Sequence, residues 1–238
     1  ISNVDFEQVG RIPDLKNLSG EFSVVNQDIT KGRVEGLLHQ SDFEADFRVT
    51  NAGSILFGNG KAEVNANIVI DSLNSAILLD TPQEPSINEG LSAWDRIRSI
   101  SGDVFVDHFI HQKFSSQPLS ATIYLKEDEL VCNSFLSRSC DGVITGRLGA
   151  TSLKEKGYYL NGNVDLDGLN ISKFFESFNN FRQTTVTSNN ISGEIKGNII
   201  FGTNLSKNGV DLSSIVATST LTLTDGRLKN VEQLESLS

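Results

Sequence analysis

Ala62-Glu63-Val64-Asn65-Ala66-Asn67-Ile68-Val69-Ile70 alternates apolar and polar residues with a period of two, Val69 being the one departure. Side chains along an extended strand point to opposite faces in turn, so Ala62, Val64, Ala66, Ile68 and Ile70 share a face opposite Glu63, Asn65 and Asn67. The same pattern returns on both sides of this stretch. Phe43, Ala45, Phe47 and Val49 alternate with Glu44, Asp46 and Arg48, and Leu119, Ala121, Ile123 and Leu125 repeat the spacing. Leu160, Gly162, Val164 and Leu166 alternate with Asn161, Asn163, Asp165 and Asp167, and Ile191, Gly193, Ile195, Gly197, Ile199 and Phe201 complete the set. One greasy face and one polar face favour antiparallel pairing with a solvated side over a parallel sheet covered by helices.

Glycine marks these strands in a recurring form of apolar residue, Ser, Gly, acid, apolar residue: Leu18-Ser19-Gly20-Glu21-Phe22, Ile100-Ser101-Gly102-Asp103-Val104 and Ile191-Ser192-Gly193-Glu194-Ile195. A glycine near a strand start serves where a sheet bends sharply or where another backbone comes close, and the reading taken is a strongly curved sheet. The three copies are irregularly spaced, which excludes a solenoid of fixed period. Asp141-Gly142, Asp167-Gly168 and Asp225-Gly226 read as turns, and Asn161-Gly162, inside an alternating run, as a turn or a bulge. Short helices are expected over Ser92–Arg98, over Asn170–Phe181 with Asn170 or Ser172 as cap, and from Lys229 towards Leu237. The middle one carries Phe174, Phe175, Phe178 and Phe181 at helical spacing, a stripe that either plugs one end of the sheet or borders a groove, with Phe174 the structural residue and Phe175 the more exposed. The fold class is therefore all-β, mainly β with one or two short helices, as a single β-rich domain over 1–238. A closed β-sandwich is the alternative, because alternation alone cannot separate an open inner face from a packed one.

Hydrophobic residues make up 38% and charged residues 21% of the 238, and the net charge is −10, which opposes a nonspecific grip on nucleic acid or on an anionic membrane. No run of about 18 apolar residues is present, so any membrane contact would come through parts outside this chain. The sequence has no Met and opens on Ile1, which reads as an interior segment of a longer protein, with a processed product as the alternative. Cys132 and Cys140 are the only cysteines. They read as a bridge between adjacent strands, with two free thiols as the other possibility; closing so short a loop would contribute about 2 to 3 kcal/mol.

Chemistry-bearing motifs are sparse. His108 and His111 in Asp107-His108-Phe109-Ile110-His111 fall on opposite faces of a strand, so no metal site is expected. Asp165 and Asp167 share a face as a glycosidase pair would, but such acids are ordinary on a solvated sheet, which leaves a carbohydrate-active hydrolase as a minor alternative. No nucleophile elbow, Walker loop, dinucleotide fingerprint or calcium loop occurs, and the chain reads as a non-enzyme without cofactor.

Leu169-Asn170-Ile171-Ser172-Lys173-Phe174-Phe175-Glu176-Ser177-Phe178, with Asn190-Ile191-Ser192-Gly193-Glu194-Ile195-Lys196-Gly197 and Leu221-Thr222-Leu223-Thr224-Asp225-Gly226-Arg227-Leu228-Lys229-Asn230, resembles the C-terminal region of AsmA-like proteins, in the form found in Bacteroidetes-type bacteria. Leu15-Lys16-Asn17-Leu18-Ser19-Gly20-Glu21-Phe22 is similar to that family's internal unit, so the resemblance is loose over most of the chain and tighter over 160–238. It implies a periplasmic segment of an inner-membrane-anchored protein, a taco-like β-sheet, and a noncatalytic role in moving phospholipid between the two membranes and in outer-membrane homeostasis. Its partners would be acyl chains and other envelope proteins. The lining of such a groove would be Val64, Ile68, Ile195 and Ile199 from the alternating strands, with Phe174, Phe175 and Phe178. Each CH2 sheltered there would gain about 0.8 kcal/mol. A structural or interaction scaffold built on a β-sandwich of the cell envelope is the second function carried.

Overall fold

The alternating stretches all become strands. In the computed structural model, which describes residues 4–6, 15–57, 60–76, 96–126, 128–154, 157–206 and 209–229, they join one 14-stranded sheet. The strands are β1 (Val4–Phe6), β2 (Leu15–Val25), β3 (Asp28–Leu38), β4 (Ser41–Thr50), β5 (Ala62–Asn74), β6 (Ile97–His111), β7 (Phe114–Ser116), β8 (Leu119–Lys126), β9 (Glu129–Ser139), β10 (Gly142–Ser152), β11 (Tyr158–Asn170), β12 (Ile191–Ser206), β13 (Gly209–Val210) and β14 (Val216–Leu228). Neighbours in sequence are neighbours in the sheet, except that β8 pairs β6 and not β7, which lies on β6 alone, and that β14 pairs β12 alongside β13. Tight turns with positive φ at Asn26 and Gln27, and at Cys140 and Asp141, close two of the hairpins.

Antiparallel pairing holds everywhere except between β5 and β6, which run parallel from Ala62↔Ile97 to Asn74↔Ile110. A parallel neighbour needs a long crossover, and the chain between Asn74 and Ile97 supplies one. Alternation carries no information on this point, because it looks the same in either direction of pairing.

The sheet is neither closed nor strongly curled, which overturns both the taco-like groove and the closed sandwich. Two local features accompany the open layer. The glycines of the Ser-Gly-acid motif serve close approach rather than bending: a Cβ on Gly20 would lie 2.5 Å from the Arg33 carbonyl oxygen, and one on Gly102 only 1.7 Å from that of Ala66. Aromatic rings also reach into the space that glycines leave, Phe47 at Gly32 and Phe201 at Gly162, their directly opposed partners, where a Cβ would lie 2.4 and 2.5 Å from a ring carbon.

Asn161-Gly162 lies in unbroken pairing, whereas Asp167 and Gly168 of β11 together face Lys196 of β12 in a bulge that shifts the register, and Asp225 and Gly226 of β14 face Gly193 in the same way. Of the expected helices, Ile97 and Arg98 instead open β6, while Ser92, Trp94 and Asp95 lie outside the described residues, as do Asn230–Leu237. Helix α1 is the short Gly53–Phe57, and α2 (Ile171–Ser177) starts on Asn170, the first of the two candidate caps, Asn170 Oδ1 accepting from Lys173 N at 3.2 Å. It stops before Phe181, because Asn179, Asn180, Phe181 and Arg182 all have positive φ and form a separate left-handed turn. The densest core forms where α2 docks: Leu169 is fully buried, with Ile144, Leu166, Ile171 and Ile195 around it.

Candidate interaction site on the open sheet

Register fixes the two faces. Following the paired residues across the strands, Phe43, Ile70, Val106, Leu119 and Ser137 fall in one row, and Val49, Val64, Ile100, Leu125 and Leu130 in another. On the far side Ile144 pairs with Leu166, Val164 with Ile199, and Ile195 with Leu223. All lie on one face, which is mainly apolar across the sheet, with Ser137 and Ser219 as exceptions. The opposite face carries cross-strand polar pairs: Asn65 Nδ2 donates to Ser101 Oγ at 3.1 Å and Thr122 Oγ1 to Asp103 Oδ1 at 2.6 Å. The Arg33–Glu44 ion pair on that face spans 2.6 Å; such exposed pairs contribute about 0.2 to 1 kcal/mol.

The expected groove residues are brought to the same face, but no trough encloses them. Ile195 is buried beneath α2, while Val64, Ile68 and Ile199 are half-buried on an open surface. Phe174 and Phe175 are both half-buried against the Leu169 core, so the two do not differ as expected, and Phe178 is the exposed ring at 42%. Phe178 stacks on Phe181 at 5.6 Å and reaches Phe114 of β7, also at 5.6 Å, so the stripe packs ring on ring beside β7. Acyl-chain transport along a groove therefore does not fit this sheet.

Cys132 and Cys140 are free thiols. Cys132 sits within β9 and Cys140 in the turn after it, so about 26 Å of extended chain separates them, against the 4.4–6.8 Å a bridge spans. The bridge reading assumed a turn between the cysteines, whereas the turn forms on Cys140 and Asp141. Burial pushes the Cys132 thiol above its ordinary pKa, opposed in part by its hydrogen bond to the Ser134 carbonyl.

The acid pair dissolves into structural contacts: Asn198 Nδ2 donates to Asp165 Oδ1 at 2.8 Å, and Lys196 Nζ lies 3.2 Å from Asp167 Oδ1. Both contacts sit at the sheet surface. His108 pairs with Asp107 at 3.1 Å and His111 Nδ1 lies 2.5 Å from Ser75 Oγ; among the described residues no group of three His, Cys, Asp or Glu could hold a metal.

The feature missed from sequence is an edge. β14 pairs only with β12 among the described strands, and each of its residues is exposed, Val216 at 74%. Val216-Ala217-Thr218-Ser219-Thr220-Leu221-Thr222-Leu223-Thr224 contains no charge and no proline. Edge strands are ordinarily protected by charge, proline, bulges or a short covering strand. The other edge shows three of these: Glu21, a register shift at Asn17-Leu18, and the three-residue β1 lying on β2. β14 has a bulge only at Asp225-Gly226, beyond the uncharged block. An uncharged, β-branched run of this length was the available signal in the sequence.

No family model, curated protein or solved structure matches the chain, so the AsmA-like resemblance is carried by the quoted motifs alone. Among the described residues no helix is long and apolar enough to cross a membrane.

Proposed function

We propose that the chain is a noncatalytic docking module that acts by strand addition, a partner polypeptide laying an extended segment along β14. The observation that carries this is the edge: 13 residues that pair on one side only among the described strands, every one exposed, with no charge from Val216 to Thr224. Main-chain groups facing away from β12 supply affinity to any added strand, and side-chain alternation selects which strand fits. The preferred segment alternates small β-branched polar residues, to meet Thr218, Thr220 and Thr222, with apolar residues that continue the face of Leu221 and Leu223. Periplasmic residence of a membrane-anchored parent belongs to the same proposal and is supported by the AsmA-like motifs.

A synthetic nonapeptide alternating threonine and valine, flanked by lysines for solubility, is the direct probe. It should bind and slow hydrogen exchange within β14, while the same peptide with proline at alternate positions should not. Equal binding of both peptides, or protection elsewhere than β14, would contradict strand addition.

A further inference from the structure

We infer that the strand added at β14 is β14 of a second copy, in antiparallel register centred on Thr220. The inference rests on the strand-addition reading and names its partner. Thr220 is the midpoint of the uncharged block Val216–Thr224, so this register alone overlaps the block in full. It sets Thr220 opposite Thr220 of the second copy, Thr218 opposite Thr222, Ser219 opposite Leu221 and Ala217 opposite Leu223. Thr–Thr pairs are favourable across strands, and each large leucine meets a small residue. Leu221 also becomes the diagonal neighbour of its own copy across the axis. A slip by one residue would bring apolar side chains to the polar face, and a slip by two would draw Asp225 or Ile215 into the block.

Charge sets the direction. Asp211 caps the turn that leads into β14, and at the other end Asp225, Arg227 and Lys229 leave one positive charge in excess. Antiparallel copies bring the Arg227 end of each strand to the Asp211 end of the other, whereas parallel copies would place like charges together at both ends. With no charge inside the block, the net −10 on each chain does not place repelling side chains at the junction itself. The result is an isologous dimer in which the apolar faces of both sheets run on through the twofold axis.

The test is a cysteine pair in the full chain carrying Cys132→Ser and Cys140→Ser. Thr220→Cys should form a disulfide dimer on mild oxidation, because directly opposed residues lie about 4.5–5.5 Å apart. Thr222→Cys places the two thiols about four residues apart along the strands, roughly 14 Å, and should stay monomeric. Sedimentation should show the wild-type dimer, and Leu221→Lys should weaken it by about tenfold or more. A wild-type chain that stays monomeric at its highest soluble concentration yet binds the Thr-Val peptide overturns self-pairing and leaves strand addition standing. A dimer in which Thr220→Cys does not crosslink overturns the register. Monomer without peptide binding overturns both.

Discussion

Gly102→Ala tests the joint between the two halves of the sheet. Gly102 sits on β6 opposite Ile123 of β8, beside Ala66 of parallel β5, with φ +148°. A Cβ there would lie 1.7 Å from the Ala66 carbonyl oxygen, 2.6 Å from its carbonyl carbon and 3.0 Å from its nitrogen. All three are backbone atoms, so no side chain can rotate away, and β5 must move from β6. Overpacking of this kind costs about 1–3 kcal/mol, and holding alanine in a glycine conformation about as much again. A loss near 4 kcal/mol is expected, a large share of the 5–15 kcal/mol that holds a typical domain together. Gly209→Ala isolates the second cost, since Gly209 also has positive φ, +97°, but nothing lies within 4 Å of its would-be Cβ. Urea denaturation of both variants should show Gly102→Ala less stable than Gly209→Ala by about 1–3 kcal/mol. Failure of Gly102→Ala to fold while Gly209→Ala folds normally supports the same conclusion. Equal losses, or a Gly102→Ala variant as stable as wild type, would refute the argument from close strand approach.

Leu169→Ala, at the fully buried centre of the α2 cluster, should cost about 2–5 kcal/mol in the same assay, and Leu148→Ala, at a residue 38% exposed, distinctly less. Thiol titration with a chromogenic disulfide, without prior reduction, should return both cysteines as free, and Cys132 should alkylate slowly near neutral pH because burial keeps it protonated. Hydrogen bonds from the Ser213 hydroxyl and Ser213 N–H, at 2.6 and 3.0 Å, hold the Asp211 carboxyl below its ordinary pKa. The order they give the turn before β14 is complete above the ordinary carboxylate pKa and is lost as pH falls through the lowered value. A carboxyl-carbon NMR titration with Ser213→Ala, which should move that midpoint upward, checks the sign.

Strand positions were legible because alternation is a local signal: Ala62–Ile70, Phe43–Val49 and Leu160–Leu166 each name their own two faces, and all fell on strands. Curvature was not, because Gly20 and Gly102 satisfy two different needs with the same residue, and only the neighbouring backbone shows that close approach is the one met. The parallel β5–β6 pair was hidden for a related reason, since the direction of pairing leaves no mark on either strand. The start of helix α2 was legible to within two candidate caps, of which Asn170 is the one used, but the helical spacing runs on to Phe181, where the left-handed run from Asn179 to Arg182 overrides it. Strand register puts Val64, Ile68, Ile195 and Ile199 on one face, but a shared face becomes a site only through long-range shape. The β14 edge was present as an uncharged run in the sequence, yet its exposure depends on what pairs with it, which no local pattern records.

Residue-resolved hydrogen exchange across β14 is the most direct measurement of strand addition. In dilute protein, alternate amides from Val216 to Thr224, those facing away from β12, should exchange as unpaired groups, while the intervening amides bonded to β12 stay protected. Raising the protein concentration, or adding the Thr-Val peptide, should slow the unpaired set selectively. Exchange rates in that set that stay the same at every concentration and with saturating peptide would contradict the account.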